Sequence, residues 1–214
     1  MRVLIGTPAH DGRVESRYML SVHAAVQKAA KLGHEVSILV LNGDPYIQRA
    51  RNRLIKAAID GKFEHLIFID SDISFPPEWL VELLLKPEHV VGGTYRHKLD
   101  EQEIYAVKTT NLKVSPNGLI LVDALATGFV KISAEALSAL WDSCLAQQQS
   151  DGGRMMCNVE VQNGEFFGED TVLFKKLAAL GYSPWLAPHM TCDHSGPKVY
   201  CGNFVQFAQR LANE

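Results

Sequence analysis

Short apolar stretches and amphipathic helical stretches alternate along the first half of the chain, and this alternation limits the possible folds more than any other feature. Predicted strands lie at residues 3–6, 36–41, 65–70 and 89–92, and predicted helices lie between them at residues 18–32, 46–60 and 77–84. Gly33 stands where the first helix should stop. This order favours a parallel sheet with helices on both faces. We therefore predict an α/β protein with a Rossmann-type sheet.

The pattern changes after residue 100. Two extended stretches, 104–110 and 119–125, flank the turn sequence Ser-Pro-Asn-Gly at 115–118, which predicts an antiparallel hairpin. The remaining predicted elements are helices at 133–140, 169–180 and 203–212, a polar loop at 147–154 and a short strand at 183–188. With 214 residues and no internal repeat, the chain is expected to form a single domain over residues 1–214.

Composition narrows the class of protein. The formal net charge of −3 gives no electrostatic footprint for general nucleic-acid binding. Four cysteines without a CxxC pair suggest reduced thiols. No apolar run approaches the roughly 20 residues of a membrane span, and the N-terminus begins as a strand rather than as a signal peptide. We therefore expect a cytoplasmic protein with no transmembrane segment.

The third predicted strand runs directly into two carboxylates in the sequence LIFIDSDIS, residues 66–74. In open parallel sheets, ligands bind beyond the carboxyl ends of the strands, where Asp70 and Asp72 stand. Residues i and i+2 of an extended segment point to the same side, so both carboxylates are expected to converge on one point. Such a pair calls for a cation, and oxygen ligands suit Mg²⁺ or Mn²⁺. The alternative is that Asp70 caps a turn and Asp72 is solvated.

Several stretches resemble the GT-A-type glycosyltransferases, which use nucleotide sugars. FIDSDISFPPEWL resembles the Asp-x-Asp segment of that family, and IGTPAHDG resembles the first-strand loop that receives the nucleotide. IQRARNRLIKAAI resembles the helix before the Asp-x-Asp strand, LATGFVKISAEAL the acceptor-side segment, FFGEDTVLFKKLAALGY the segment with the catalytic base, and CDHSG the late histidine of the metal site. The resemblance covers residues 1 to about 196 and points to the small family-2-like members of bacteria and phages. Two features depart from it: Leu41-Asn42-Gly43-Asp44 lacks the usual acidic pattern, and the chain is short.

The resemblance implies a GT-A-like mixed sheet, with a parallel core flanked by helices and a small antiparallel hairpin. It divides the chain into a nucleotide-sugar-binding half (1–100), an acceptor and catalytic half (101–196) and a helical tail (197–214). It implies that Mn²⁺ or Mg²⁺ is held by Asp70, Asp72 and His194, and that Asp170 is the catalytic base, with Glu169 beside it. The substrate-binding residues that it implies are Thr7, Pro8, Ala9, Arg51, Asn52, Asp70, Ser71, Lys98 and Gly128.

Charged residues at these positions also have simpler explanations. Arg49, Arg51 and Arg53 share one predicted helix and can form a solvated basic face. Arg51 falls where the family contacts the nucleotide, and a guanidinium can hold phosphate oxygens bidentately. Glu169 and Asp170 stand at a helix start, where acids are favoured by capping and by the helix dipole.

Other motifs stay open between two explanations. His194 with Cys192 and Cys201 suggests zinc, although that spacing fits no structural zinc pattern well. Residues 95–98 are either a plain loop after a strand or a cover over the sugar or the acceptor, with Lys98 near a phosphate. The aromatic residues that are either core or a platform for a sugar ring are Phe166, Phe167 and Trp185.

We expect a metal-dependent glycosyltransferase that moves a sugar from a nucleoside-diphosphate sugar, a UDP-sugar being favoured, to an acceptor hydroxyl. With Asp170 as base the reaction proceeds with inversion, while retention stays open. The acceptor is a glycan, a lipid-linked glycan, a protein or a modified DNA base. Two alternatives remain: a haloacid-dehalogenase-like phosphohydrolase with Asp70 as nucleophile, and a catalytically silent module that binds nucleotide sugars.

Overall fold

The computed structural model describes residues 1–110, 113–146 and 153–213. Within them the strands are β1 (Arg2–Ala9), β2 (Glu35–Asn42), β3 (His65–Ile69), β4 (Ile73–Ser74), β5 (Val90–Tyr95), β6 (Val107–Lys108), β7 (Lys113–Val114), β8 (Ile120–Leu121), β9 (Ala124–Leu125), β10 (Phe129–Ser133), β11 (Glu160–Gln162), β12 (Glu165–Phe167), β13 (Trp185–Ser195) and β14 (Val199–Tyr200). The helices are α1 (Ser16–Lys31), α2 (Ile47–Asp60), α3 (Glu78–Leu85), α4 (Ala134–Ser143), α5 (Glu169–Ala179) and α6 (Phe204–Ala212).

One mixed sheet carries the fold, in the strand order β2-β1-β3-β10-β5-β13-β8-β7. Strands β2, β1 and β3 pair in parallel, and β5 pairs in parallel with β13. Between these two groups lies β10, which is antiparallel to both β3 and β5. This sheet confirms the predicted α/β fold, with a mixed, mostly parallel sheet and helices packed against it.

Strand β3 is apolar throughout because helices cover both of its faces. Ile67 and Ile69 point to the face packed by α1 and α3, whereas Leu66 and Phe68 point to the face packed by α2, α4 and α5. All four side chains are fully buried. A continuous apolar run is what a strand covered on both sides requires. The carboxyl end of β3 is therefore a rigid support for the polar residues that follow it.

The second half differs from the prediction in its strands. The hairpin at 104–110 and 119–125 is confirmed, since β6 pairs antiparallel with β9 and β7 with β8. The strand predicted at 183–188 extends much further, as β13 reaches Ser195. Strand β10 and the β11–β12 hairpin were not predicted, although Asn163-Gly164 is a strong turn signal and both residues have positive φ. Most of the polar loop predicted at 147–154 lies outside the described residues.

Helices in the described ranges are all too short or too polar to cross a lipid bilayer.

Candidate active site

A cavity of 480 Å³ opens at the carboxyl ends of β3, β5 and β13. Asp70 and Asp72 enter it after β3, Tyr95 ends β5, and His194 lies near the end of β13. Asp170 reaches the same cavity from the first turn of α5. Four of the residues predicted for catalysis or metal binding, which are far apart in sequence, therefore meet in one place.

The two carboxylates do not converge in the way an extended segment would impose. The backbone turns after Asp70, because the amide of Ile73 donates to the Asp70 carbonyl at 3.1 Å. The Asp70 side chain accepts from Nη2 of Arg51 at 3.0 and 3.3 Å. Asp72 faces Lys98 and His194 instead. The turn gives Asp70 and Asp72 different side-chain partners, although both line the same cavity, and a single point shared by the two carboxylates stays a prediction.

Arg51 lies beneath the cavity rather than in its lining. The residue is only 3% exposed, and its guanidinium lies against the ring of Phe68. Besides the bond to Asp70, its Nε lies 3.7 Å from Oε1 of Glu169. Burial opposes the charged form, but Asp70 and Glu169 outweigh it and raise the Arg51 pKa. In this arrangement Arg51 joins the end of β3 to the start of α5.

The neighbouring residue Asn52 is fully buried and bonded to the backbone of a distant segment. Its Nδ2 donates to the carbonyl of Cys157 at 3.0 Å, and its Oδ1 accepts from the amide of Cys157 at 2.7 Å. These two bonds fasten α2 to the chain that precedes the β11–β12 hairpin. The side chain does not line the cavity, so its amide serves the packing of that segment.

Asp72 is held by two basic side chains. Nζ of Lys98 lies 2.5 Å from Oδ2 of Asp72, and Nε2 of His194 lies 3.4 Å from the same oxygen. Burial raises the pKa of the Asp72 carboxyl, but the hydrogen bonds to His194 and Lys98 prevail and hold that pKa below its usual range. The amide of Ser195 also donates to the Asp72 carbonyl at 2.8 Å. Asp72 is thus fixed as an anion beside β13.

The tautomer of His194 follows from its second contact. Nδ1 lies 2.9 Å from the carbonyl oxygen of Arg96, and a carbonyl only accepts, so Nδ1 carries the proton. When Nε2 also carries a proton it donates to Asp72, and when it does not, its lone pair can bind a cation beside Asp72. His194 was predicted in a polar turn after a strand, but it lies within β13, where it pairs with Ile73 and Tyr200.

Two of the three predicted metal ligands lie side by side, and metal binding stays a prediction. Asp72 and Nε2 of His194 form a carboxylate and imidazole pair, and the bond from Nδ1 to a backbone carbonyl is the usual support of a ligating histidine. Asp70 is engaged by Arg51, and no group of three His, Cys, Asp or Glu side chains is placed to hold a metal ion among the described residues. This pair fits Mg²⁺ or Mn²⁺ in the form in which substrate phosphates and waters supply the other ligands.

Gly128 shapes the site through packing. A Cβ there would lie 2.6 Å from the hydroxyl of Tyr95, so any larger residue would displace that ring. The carbonyl of Gly128 accepts from the amide of Asp70 at 3.1 Å. Tyr95 is buried beside Asp70 and stacks edge-on against His194. Burial, followed by the charge of Asp70, raises the pKa of Tyr95 well above its ordinary value, so the phenol stays neutral.

Asp170 lies in the first turn of α5, after the N-cap residue Gly168, which has no side chain to make a capping bond. Oδ1 of Asp170 accepts from the amide of Thr171 at 2.6 Å, which satisfies one free amide of the helix start. The Asp170 side chain also lines the cavity, so its position is compatible with both the capping role and the predicted catalytic role. Glu169 forms an ion pair with Arg51.

The first-strand residues lie beside this site and do not line the 480 Å³ cavity. Thr7 is buried, and its Oγ1 lies 2.6 Å from the hydroxyl of Tyr18. Pro8 and Ala9 complete β1 and are also buried. The carbonyl of Ser71 accepts from the amide of Glu15 at 2.8 Å, which ties the loop after β1 to the turn after Asp70.

The cavity also contains residues that the sequence did not single out. Tyr105 and Lys108 come from the hairpin half of the chain, and Tyr105 donates to Glu103 at 2.7 Å. Burial and the bond to Glu103 raise the pKa of Tyr105 to about 12. Phe204 and Phe207 of α6 pack against its ring. The only available signal was the position of Tyr105 at the start of the predicted hairpin.

Comparison with known proteins extends only to structure. No protein-family model matches the chain, and no curated protein matches it. The A197 protein of STIV is 15% identical, with 95% of each chain covered and a TM-score of 0.58.

Two weaker structural likenesses lie among transferases. A protein described as a glucose-1-phosphate thymidylyltransferase from Bacillus anthracis is 10% identical, with 100% of this chain and 95% of that chain covered and a TM-score of 0.46. A glycosyltransferase involved in the glycosylation of the major capsid of PBCV-1 is 10% identical, with 64% and 62% covered and a TM-score of 0.34. At such identities a likeness shows the fold alone, and the chain shares its mixed α/β fold with the A197 protein.

Proposed function

We propose that this chain transfers a sugar from a nucleoside-diphosphate sugar, with a UDP-sugar as the favoured donor, to an acceptor hydroxyl. One observation carries the proposal: the anion Asp72, held between Lys98 and His194, shares a cavity with the carboxylate of Asp170. The first group suits a diphosphate and its cation, and the second suits a hydroxyl that must lose a proton. The resemblance to GT-A enzymes, taken from the sequence alone, implies the same two roles for these residues.

The leaving diphosphate is expected beside Asp72 and Lys98. Its phosphate oxygens attract the Lys98 ammonium, which makes a charge-assisted bond to Asp72 when no diphosphate is bound. Asp72 and Nε2 of His194 would hold Mn²⁺ or Mg²⁺ there. When bound, such a cation supplies Lewis-acid stabilisation of the charge on the leaving diphosphate.

In this proposal Asp170 is the general base that accepts the proton of the acceptor hydroxyl. The acceptor oxygen forms a bond to the anomeric carbon of the donor while the bond from that carbon to the diphosphate oxygen breaks, and the hydroxyl proton passes to the Asp170 carboxylate. A single displacement of this kind inverts the anomeric centre. The phosphohydrolase alternative would need Asp70 as a free nucleophile, whereas Asp70 is paired with the buried Arg51.

The substitution Asp170→Asn tests the assignment. Asparagine retains an oxygen that can accept from the amide of Thr171, so the local fold should survive, but it cannot take a proton. We expect release of nucleoside diphosphate from UDP-glucose, UDP-galactose, UDP-N-acetylglucosamine or GDP-mannose to fall by roughly a hundred- to ten-thousandfold for the donor that is turned over. Binding of UDP with Mn²⁺, measured by calorimetry, should be unchanged.

Glu169→Gln is the matched control for this test. Glu169 is next in the chain and half-buried, but it faces Arg51 and does not line the cavity. It should reduce turnover much less than Asp170→Asn. Undiminished turnover by Asp170→Asn would remove the base, and the absence of turnover of every donor by the wild-type chain despite UDP binding would leave a silent nucleotide-sugar module.

A further inference from the structure

A second cavity, of 720 Å³, adjoins the candidate active site and has no part in the function proposed above. The two cavities share a wall formed by Val107, Lys108, Ala124 and Thr171. Thr171 directly follows the proposed base Asp170. We call the second cavity the hairpin groove, because β12 and the β6–β9 ladder form its sides; the lining residues that matter here are Lys108, Asp123, Glu165, Phe167, Lys175 and Pro184.

The topology places the hairpin groove on the acceptor side. The donor nucleotide is expected at the ends of β1 and β3, which lie toward one edge of the sheet. The groove lies toward the other edge, where β13 pairs with β8. A molecule in the groove therefore approaches Asp170 from the side that the donor leaves free.

The lining suits a neutral, hydroxyl-rich chain. Lys108 and Lys175 place two ammonium groups in the groove, and Asp123 and Glu165 place two carboxylates there. All four side chains are exposed, and none forms an ion pair with another described residue. The ammonium groups donate hydrogen bonds and the carboxylates accept them, which suits sugar hydroxyls because a hydroxyl does both. With two ammonium groups and two carboxylates, these four side chains carry no net positive charge that would neutralise the phosphates of a nucleic acid.

Phe167 supplies the apolar surface that a sugar ring needs. Its ring lines the groove, and the ammonium of Lys175 lies 3.3 Å from the ring centroid. Phe167 ends β12, and Gly168 and the first turn of α5 follow immediately. Phe167 is thus three residues before Asp170, whose carboxylate would activate the acceptor.

We propose that the hairpin groove binds a neutral oligosaccharide whose terminal hydroxyl enters the active-site cavity, so that the acceptor is a glycan. The identification of this ligand as the acceptor rests on the proposed transferase function. The binding itself is independent of it, because the groove lies outside the residues that hold the donor.

The test is saturation-transfer difference NMR on the full chain, with maltotriose, mannotriose, xylotriose and triacetylchitotriose as probes. At least one should give a signal, and Phe167→Ala should weaken its binding by about tenfold. Phe166→Ala is the matched control, because Phe166 is 66% exposed, neighbours Phe167 in β12 and does not line the groove. If Phe167→Ala does not fold, Asp123→Ala serves as the second variant, because Asp123 is exposed, and it should also weaken glycan binding.

Each result decides the proposal. Silence of all four trisaccharides, or a signal that survives both Phe167→Ala and Asp123→Ala, overturns it. Binding of an oligothymidylate that Phe167→Ala abolishes, without glycan binding, would assign the groove to nucleic acid instead. Calorimetry of UDP with Mn²⁺ separates the two proposals: glycan binding without any nucleotide binding or donor turnover would sink the transferase proposal alone, and UDP binding without glycan binding would sink the groove alone.

Discussion

The substitution Arg51→Ala should destabilise the fold, whereas the resemblance to GT-A enzymes assigns this arginine to the nucleotide. The guanidinium is buried, and it neutralises Asp70 at 3.0 Å and Glu169 at 3.7 Å. Its removal leaves these two partly buried carboxylates without their shared counter-charge. Breaking a buried ion pair by removing one partner costs about 3–5 kcal/mol. Because the Asp70 and Glu169 side chains keep 23% and 20% of their exposure, water offsets part of that cost.

We therefore expect a loss of about 3 kcal/mol in the free energy of unfolding, at the lower end of the range for buried pairs. For a chain of this size, that corresponds to a fall of roughly 6–12 °C in melting temperature. Urea unfolding followed by circular dichroism measures the free energy. Arg49→Ala is the matched control on the same helix, because Arg49 is half exposed and its partner Asp44 keeps Arg53 nearby. It should lower the melting temperature far less.

A double-mutant cycle tests the cause of the loss. Arg51→Met should be less harmful when Glu169→Gln is added, because only one uncompensated carboxylate then remains. If Arg51→Ala instead melts with the wild type and only weakens UDP binding, the guanidinium contacts the diphosphate and the positioning role is wrong. If the double variant is no more stable than Arg51→Met, the ion pair with Glu169 has no energetic weight.

Two further substitutions probe charged side chains, one that contacts Asp72 after β5 and one inside the sheet in β10. Lys98→Met removes the ammonium that competes for Asp72, so Mn²⁺ alone should bind about tenfold more tightly in calorimetry while UDP binds more weakly; unchanged Mn²⁺ affinity would remove that competition. Lys131 is 1% exposed, and burial lowers its pKa from 10.5 to about 8. The unfolded chain therefore binds the Lys131 proton more tightly than the folded chain does. Below pH 8 the buried ammonium reduces the free energy of unfolding by its full amount, and this loss of stability disappears as the pH rises from 8 to 10.5. Lys131→Met should stabilise the fold at pH 7 by about 2 kcal/mol, after loss of the bond to the Lys86 carbonyl, and the gain should shrink by pH 9.5; an equal gain at both pH values would refute the assignment.

The periodicity of apolar residues was sufficient to predict the elements that bury one regular face. In α1, Tyr18, Val22 and Ala25 recur at helical spacing and are all buried, as predicted. Strand β10 was not predicted because its central residue is Lys131. The burial of this lysine depends on a bond to the carbonyl of Lys86, which lies in a distant part of the chain. No rule based on neighbouring residues anticipates a charged side chain at the middle of a sheet.

In the candidate site, too, the sequence predicted some features and not others. Asp170, His194 and Asp72 were found from motifs, and the shared carboxyl edge of the strands brings them into one cavity. The pairing of Arg51 with Glu169 and that of Asn52 with Cys157 were not predictable, because they depend on the packing of α2 against residues more than a hundred positions away. A helical pattern shows which face of α2 is buried, but not which distant backbone or carboxylate that face meets.

The turn between Asp70 and Asp72 explains why the sequence needs two carboxylates where a strand ends. Both side chains line the cavity, but the turn gives them different partners. Asp70 pairs with Arg51, and its charge stabilises Arg51 and through it the start of α5. Asp72 faces Lys98 and His194, where a diphosphate and a cation can reach it. We therefore expect a substitution at Asp70 to act on the fold through Arg51 as well as on the cavity that it lines, whereas a substitution at Asp72 should act on the cavity alone.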